Sequence, residues 1–160
     1  VGGFDESFPM ASGEDPELSF RLSKLGFKMV FQPRAFVWHR HPDTLKKYLR
    51  QKFWRGFWRV ILYKKHKDKI FKHSYTPKLL YVEIGMVYLA LLLLLTSVLG
   101  IPITFSLIPL FIAFTLMIPL TVNIFHKEKF LGMLTPIILI LRDLTIGLGI
   151  IAGLIKLLKR

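Results

Sequence analysis

The chain has 160 residues, of which 52% are hydrophobic, and it carries 23 Lys and Arg against 10 Asp and Glu. This composition is typical of a membrane protein with a basic surface. Cysteine is absent, which excludes a disulfide framework and a thiolate metal site.

Charge divides the chain into three segments. The formal net charge is 0 over residues 1–42, +10 over residues 43–78 and +3 over residues 79–160. We therefore predict a polar domain over 1–42, a basic interface helix with its linker over 43–78, and a membrane domain over 79–160. The sequence starts at Val1 and shows no signal peptide, so we interpret it as a fragment that lacks an N-terminal part.

The first predicted element is a helix in the stretch GEDPELSFRLSKLGF. Asp15 is expected as its N-cap, Pro16 at the first helical position and Gly26 at its end. The segments KMVFQ and AFVWH, around Pro33, predict two short strands. The expected fold class is therefore an α/β fragment, too small for a core of its own. From the sequence pattern alone, a helix-capping role for Asp15 is favoured over a functional one, because Asp is a preferred N-cap.

A basic, aromatic-rich helix is predicted next, in TLKKYLRQKFWRGFWRVILYKKHKDK. Its apolar residues recur at helical spacing, and its cations lie largely on other faces. Such a helix suits the headgroup layer of a membrane, where each cation adds about 1 kcal/mol beside anionic lipid. Nucleic acid is the competing partner, because cations interleaved with aromatic rings also suit phosphates and bases. Because apolar runs long enough for a membrane follow this segment, we predict that its partner is lipid and not nucleic acid.

A long uncharged run follows from Ile84 to Phe125, and it exceeds the ~20 apolar residues that one crossing of a bilayer needs. Gly and Pro in the stretch LGIP predict a turn that separates two helices, near residues 79–99 and 103–125. A buried hairpin of a soluble protein is the alternative, and the length of the run disfavours it. We expect Pro109 and Pro119 to be tolerated inside the second helix.

The third apolar stretch, residues 130–155, is interrupted by Arg142 and Asp143. A charge at bilayer depth costs about 2.5–3.5 kcal/mol, so this pair should face protein, water or headgroups. Neighbouring residues point about 100° apart on a helix, so we expect no clean bridge between them and a partner elsewhere for at least one. We favour a membrane-embedded helix with its basic C-terminus inside over a regular third span. The basic segments predict a multi-pass protein of the cell membrane with its polar part on the cytoplasmic side.

The stretches GGFDESF and GEDPELSFRLSKLGFKMVFQPRAFVWH carry a family resemblance. Over roughly residues 1–60 they resemble the C-terminal half of the GT-A catalytic domain of family 2 glycosyltransferases. The resemblance implies an α/β GT-A fragment of a membrane-bound, inverting enzyme of cell envelope biogenesis. Such an enzyme transfers a hexose or related sugar from a nucleotide sugar to a lipid-linked or envelope glycan acceptor. The alternative is a non-enzymatic membrane module whose basic helix binds anionic lipid.

The resemblance also implies roles for individual residues. Asp15 occupies the position of the general base, and Glu14 would orient the acceptor. Substrate contacts are expected from the loop before the helix and from the basic helix, at Asp5, Glu6, Arg50, Gln51 and Arg55.

A divalent metal, Mg²⁺ or Mn²⁺, is implied as the cofactor. It would be ligated mainly by the N-terminal half of the catalytic domain, with His39 as a further ligand. His39 and His41 alternate along a predicted strand, so we expect them to point to opposite faces and not to share one ion.

Two departures from the family pattern qualify these expectations. No Asp-x-Asp metal motif occurs in the sequence, and we expect the fragment alone to be inactive. Processive synthases carry Gln-x-x-Arg-Trp on the interface helix, whereas here Trp54 precedes Arg55. The reversed order favours transfer of a single sugar over polymerisation.

Overall fold

The computed structural model describes residues 1–10, 12–70 and 77–159. Five α-helices follow one another in these ranges: α1 Glu14–Lys24, α2 Leu45–Lys65, α3 Lys78–Thr96, α4 Thr104–Lys127 and α5 Lys129–Leu158. The chain divides into two compact units. We name them the polar unit, Val1–Tyr75 with Gly149–Arg160, and the apolar unit, Thr76–Leu148.

The predicted α/β fold class is wrong, because no described residue lies in a strand. Both segments expected as strands lack regular secondary structure and have exposed apolar side chains: Val30, Phe31, Val37 and Trp38 are 84–96% exposed. A strand needs a neighbouring strand to pair its backbone groups, and the described residues offer none. The described part of the polar unit is therefore helical, and the GT-A fragment is not seen. The domain boundaries drawn from charge stay a prediction.

Helices α1 and α2 of the polar unit share an aromatic core with the loop before α1. Phe8 of the loop and Phe20 of α1 are buried together with Phe57, Trp58 and Leu62 of α2. The ring centroids of Phe8 and Trp58 are 5.6 Å apart, in a tilted arrangement. Burying each of these side chains contributes about 1.5–3 kcal/mol, so the loop and the start of α1 are fixed against α2.

The two apolar helices predicted near residues 79–99 and 103–125 are confirmed as α3 and α4. Gly100 lies between them with a φ of +89°, a left-handed conformation that glycine adopts without a steric penalty. Pro109 and Pro119 lie inside α4, as expected. By length and composition, Lys78–Leu99, Thr104–Lys127 and Lys129–Leu158 are each able to cross a bilayer, with a mean hydropathy of 2.1–2.3. These three helices indicate a membrane protein.

Three charged side chains meet inside the apolar unit. The Arg142 guanidinium donates to a carboxylate oxygen of Glu83, and its Nε donates to Oδ1 of Asp143 at 2.7 Å. The expectation that the neighbouring pair would not bridge is wrong, whereas the expected partner elsewhere is confirmed as Glu83. Asp143 is completely buried, and its Oδ2 has no hydrogen-bond partner among the described residues.

Candidate active site

A side chain of the first turn of α1 holds the backbone just before the helix. Helix α1 begins at Glu14 with Gly13 as its N-cap, so the prediction that Asp15 is the N-cap is wrong. The Glu14 carboxylate folds back instead, and its Oε2 accepts hydrogen bonds from the amides of Ser12 (2.7 Å) and Gly13 (2.9 Å). Burial disfavours the charged form of Glu14, but these backbone hydrogen bonds outweigh it and lower its pKa.

Gly13, the residue before α1, has no room for a larger side chain. A Cβ atom at Gly13 would lie 2.7 Å from Cε1 of Phe8 and 3.6 Å from Cβ of Trp58. Because a real Cβ essentially never approaches a ring atom so closely, glycine lets the backbone reach the aromatic core. The core thereby positions the first turn of α1, on which Glu14 and Asp15 lie.

Asp15 lies in the first turn of α1 with its side chain exposed. No hydrogen bond or ion pair of its carboxylate is recorded with any residue that the structure describes. The N-terminus of a helix carries a partial positive charge. Asp15 is therefore an accessible carboxylate at a site that suits negative charge.

A polar cleft of about 170 Å³ surrounds this carboxylate, lined by Ser12, Gly13, Glu14, Asp15, Pro16, His39, Gln51 and Arg55. Five of these residues were named from the sequence as catalytic, substrate-binding or metal-binding. Gln51 and Arg55 are one helical turn apart on α2, so they share the face that lines the cleft. The fold brings one carboxylate pair, one imidazole and one guanidinium to a single cavity.

Arg50 lines a different groove, which adjoins the polar cleft. Its lining residues are Met10, Ser12, Lys47, Arg50, Gln51 and Trp54. Ser12 and Gln51 line both cavities, so the two are neighbours. Two cations beside an indole ring make this groove suitable for an anionic group next to a sugar or an apolar chain.

Asp5 and Glu6, the other predicted substrate contacts, do not line the polar cleft around Asp15. The Asp5 carboxylate pairs with the Lys65 ammonium and accepts from the Ser7 amide at 2.9 Å. The hydrogen bond from Lys65, together with that amide, lowers the pKa of Asp5 to about 2. Asp5 ties the loop to the end of α2, and Glu6 is exposed.

The two histidines near the cleft lie side by side. The ring centroids of His39 and His41 are 5.0 Å apart, because the segment is not a strand. The expectation that they point to opposite faces is therefore wrong. Among the described residues no group of three or more His, Asp or Glu side chains is arranged to hold a metal ion. These side chains alone do not make a metal centre.

A buried network near the cleft was missed by the sequence analysis. Glu17, on α1, accepts from Arg21 Nε at 2.9 Å and lies 3.3 Å from Nε2 of His66, just beyond α2. Both Glu17 and His66 are buried. The guanidinium of Arg21 also donates to the carbonyl oxygens of Val1 and Gly3. The i,i+4 spacing of Glu17 and Arg21 was the signal that would have revealed the first pair.

Comparisons with known proteins place the chain in a family. Residues 1–125 match the family described as Glycosyl transferase family group 2. The Pre-mycofactocin glycosyltransferases of two Mycobacterium tuberculosis strains, CDC 1551 / Oshkosh and ATCC 25618 / H37Rv, are each 39% identical over 69 residues, which is 43% of this chain and 14% of theirs. The Probable glycosyltransferase YdaM of Bacillus subtilis strain 168 is 38% identical over 52 residues, which is 32% of this chain and 12% of that protein.

The chain thus spans only a small share of the length of the curated relatives that it matches. No solved structure matches it. The family match covers 125 of the 160 residues, including both helices that form the cleft. The chain belongs to family group 2 of the glycosyl transferases.

Proposed function

We propose that this chain is part of a membrane-bound enzyme that transfers a single hexose or related sugar from a nucleotide sugar to a hydroxyl group. The observation that carries the proposal is the polar cleft, which is lined by an accessible carboxylate, Asp15, and a guanidinium, Arg55. The family match supports glycosyl transfer as the class of reaction.

Asp15 is proposed as the general base. Its carboxylate accepts the proton of the acceptor hydroxyl while that oxygen bonds to the anomeric carbon of the donor. The bond from this carbon to the phosphate oxygen breaks at the same time, and the nucleoside diphosphate leaves with the electron pair. Attack opposite the leaving group inverts the anomeric configuration. An exposed carboxylate is suited to this role, because a base must be in reach of the proton.

The neighbouring residues are proposed to orient the substrates. Arg55 offers a guanidinium, whose planar set of donors suits the oxygens of a diphosphate. Gln51, one turn before it, offers an amide to a sugar hydroxyl. Glu14 is proposed to act indirectly, because its carboxylate is already bound to the amides of Ser12 and Gly13 and so fixes the backbone beside Asp15.

The acceptor is proposed to be a lipid-linked or cell-envelope glycan. Three helices of the same chain are long and apolar enough for a bilayer, which supports an acceptor that is itself held at a membrane. The groove beside the cleft, with Lys47, Arg50 and Trp54, suits an anionic acceptor of this kind. The +10 charge of residues 43–78 supports a cytoplasmic position for the polar unit. The divalent metal, with His39 as a ligand, stays a prediction of the family resemblance.

Replacing Asp15 by Asn in the full-length enzyme tests this proposal. The substitution keeps the shape of the side chain and removes the base, so kcat should fall by about 10²–10⁴-fold with donor binding unchanged. Asp68→Asn is the matched control, because Asp68 is an exposed carboxylate that pairs with Lys24 outside the cleft. Initial rates measured with radiolabelled nucleotide sugar report both. Near-normal turnover of Asp15→Asn would remove Asp15 from this role.

A further inference from the structure

Helix α2 presents two opposite faces within the polar unit. Gln51 and Arg55 line the cleft from one face. At about 100° per residue, Phe53, Phe57 and Val60 are centred roughly 180° around the helix from them. Gln51 and Arg55 are carried by α2, so a displacement of α2 from this second face would shift both of them.

The last turns of α5 occupy the second face at backbone distance. A Cβ atom at Gly149 would collide with the carbonyl oxygen of Phe53 and lie 3.0 Å from the Phe57 nitrogen. One at Gly153 would lie 2.8 Å from the Phe57 carbonyl oxygen and 3.1 Å from Cβ of Val60. The obstructing atoms are mostly backbone, so no side-chain rotation relieves the contact, and a larger residue must displace one of the two helices.

A cation on α5 adds a third contact. The Lys156 ammonium lies 5.3 Å from the ring centroid of Phe57 and 5.1 Å from that of Trp58. An ammonium at this distance is attracted by the negative face of an aromatic ring. Gly149, Gly153 and Lys156 are spaced at three or four residues, so they form one face of α5 directed at α2.

We propose that this face of α5 is a positioning element of the active site. Gly149, Gly153 and Lys156 set how far α2 stands from α1, and with it the distance from Arg55 and Gln51 to the base. The three are positioning residues, since they act through α2 and do not line the cleft. The proposal rests on the proposed function, because displacing α2 affects catalysis only if the cleft is the site of glycosyl transfer.

The size of the effect follows from the geometry of the contact. A new methyl group at Gly149 requires a shift of the order of 1 Å, because the present approach is far below van der Waals distance. A misplacement of about 1 Å costs a reaction about 10²-fold. We therefore expect Gly149→Ala to lower kcat/KM by about 10- to 100-fold.

A double-mutant cycle in the full-length enzyme separates positioning from general destabilisation. Gly149→Ala is measured in the wild-type background and in the Arg55→Ala background, with kcat and KM determined for the nucleotide sugar. If Gly149 acts through α2, the two effects are not additive, and Gly149→Ala costs less than about threefold once Arg55 is gone. The matched control is Gly85→Ala, since Gly85 is helical and a Cβ there meets no atom within 4 Å.

Each possible result either supports or overturns the positioning role of this face of α5. Equal losses from Gly149→Ala in both backgrounds, or no loss in either, overturn the positioning role while leaving the cleft in place. No loss from Arg55→Ala itself overturns the assignment of the cleft, and the positioning role with it. If Gly149→Ala does not give folded protein by circular dichroism and gel filtration, Lys156→Gln replaces it. If Lys156→Gln lowers kcat/KM by a smaller factor, and does so only while Arg55 is present, the proposal is supported. A loss that is the same without Arg55 refutes it.

Discussion

Replacing Arg142 by Met removes the cation that holds two carboxylates of the apolar unit together. Arg142 and Glu83 are each only 13% exposed, and Asp143 is not exposed at all. Removing one partner of a buried ion pair leaves an uncompensated charge, which typically costs about 3–5 kcal/mol. We expect Arg142→Met to lower the free energy of unfolding by about this amount. Glu83→Gln should cost less, because Arg142 keeps its bond to Asp143.

Unfolding of the purified protein in detergent micelles, followed by circular dichroism, measures the loss. The control is Glu128→Gln, which removes an exposed carboxylate and should change stability by no more than about 0.5 kcal/mol. The triple variant Glu83→Gln, Arg142→Met, Asp143→Asn leaves no charge in this cluster and should regain most of the loss. The reasoning is refuted if Arg142→Met unfolds at the same midpoint as the control.

Two further predictions concern the polar unit. The hydrogen bond from Lys65 is the main reason that the pKa of Asp5 is about 2, so its charged form contributes stability above the unfolded pKa, and this contribution is lost as the pH falls through about 2. The free energy of unfolding should therefore decline between about pH 4 and pH 2, and Asp5→Asn should flatten that part of the curve; identical pH profiles would contradict it. Lys156 of α5 contacts α2, so a reporter fused to the C-terminus should lie on the same side of the membrane as the basic helix. Protection of the reporter from external protease in intact cells fits a cytoplasmic α2, whereas cleavage from outside contradicts it.

Local signals predicted the helices well. The apolar runs and the turn at Gly100 define α3 and α4 by composition alone, and the periodicity of the basic segment defines α2. The first turn of α1 was placed wrongly, because an Asp before a Pro is a common N-cap and the sequence does not show that Glu14 folds back onto the chain. Strand propensity failed for residues 28–39, because strands are stabilised by partners distant in sequence.

The composition of the site could be predicted, but its assembly could not. Glu14, Asp15, His39, Gln51 and Arg55 were all named from the sequence, yet only tertiary packing shows that they line one cleft and that Asp5 does not. The pairing of Glu83 with Arg142 was missed because 59 residues separate them. A lone acid at the start of one apolar run and an adjacent base and acid inside another were the available signal.

The exposed stretch from Lys28 to His39 affects how the protein can be handled. It contains two runs of β-branched and aromatic residues, the composition from which intermolecular strands and aggregates form. Lys28, Arg34 and Arg40 flank these runs and act as charged gatekeepers that oppose self-association. High salt screens such charges, so the protein is best prepared at low ionic strength, and neutralising these three cations would favour aggregation.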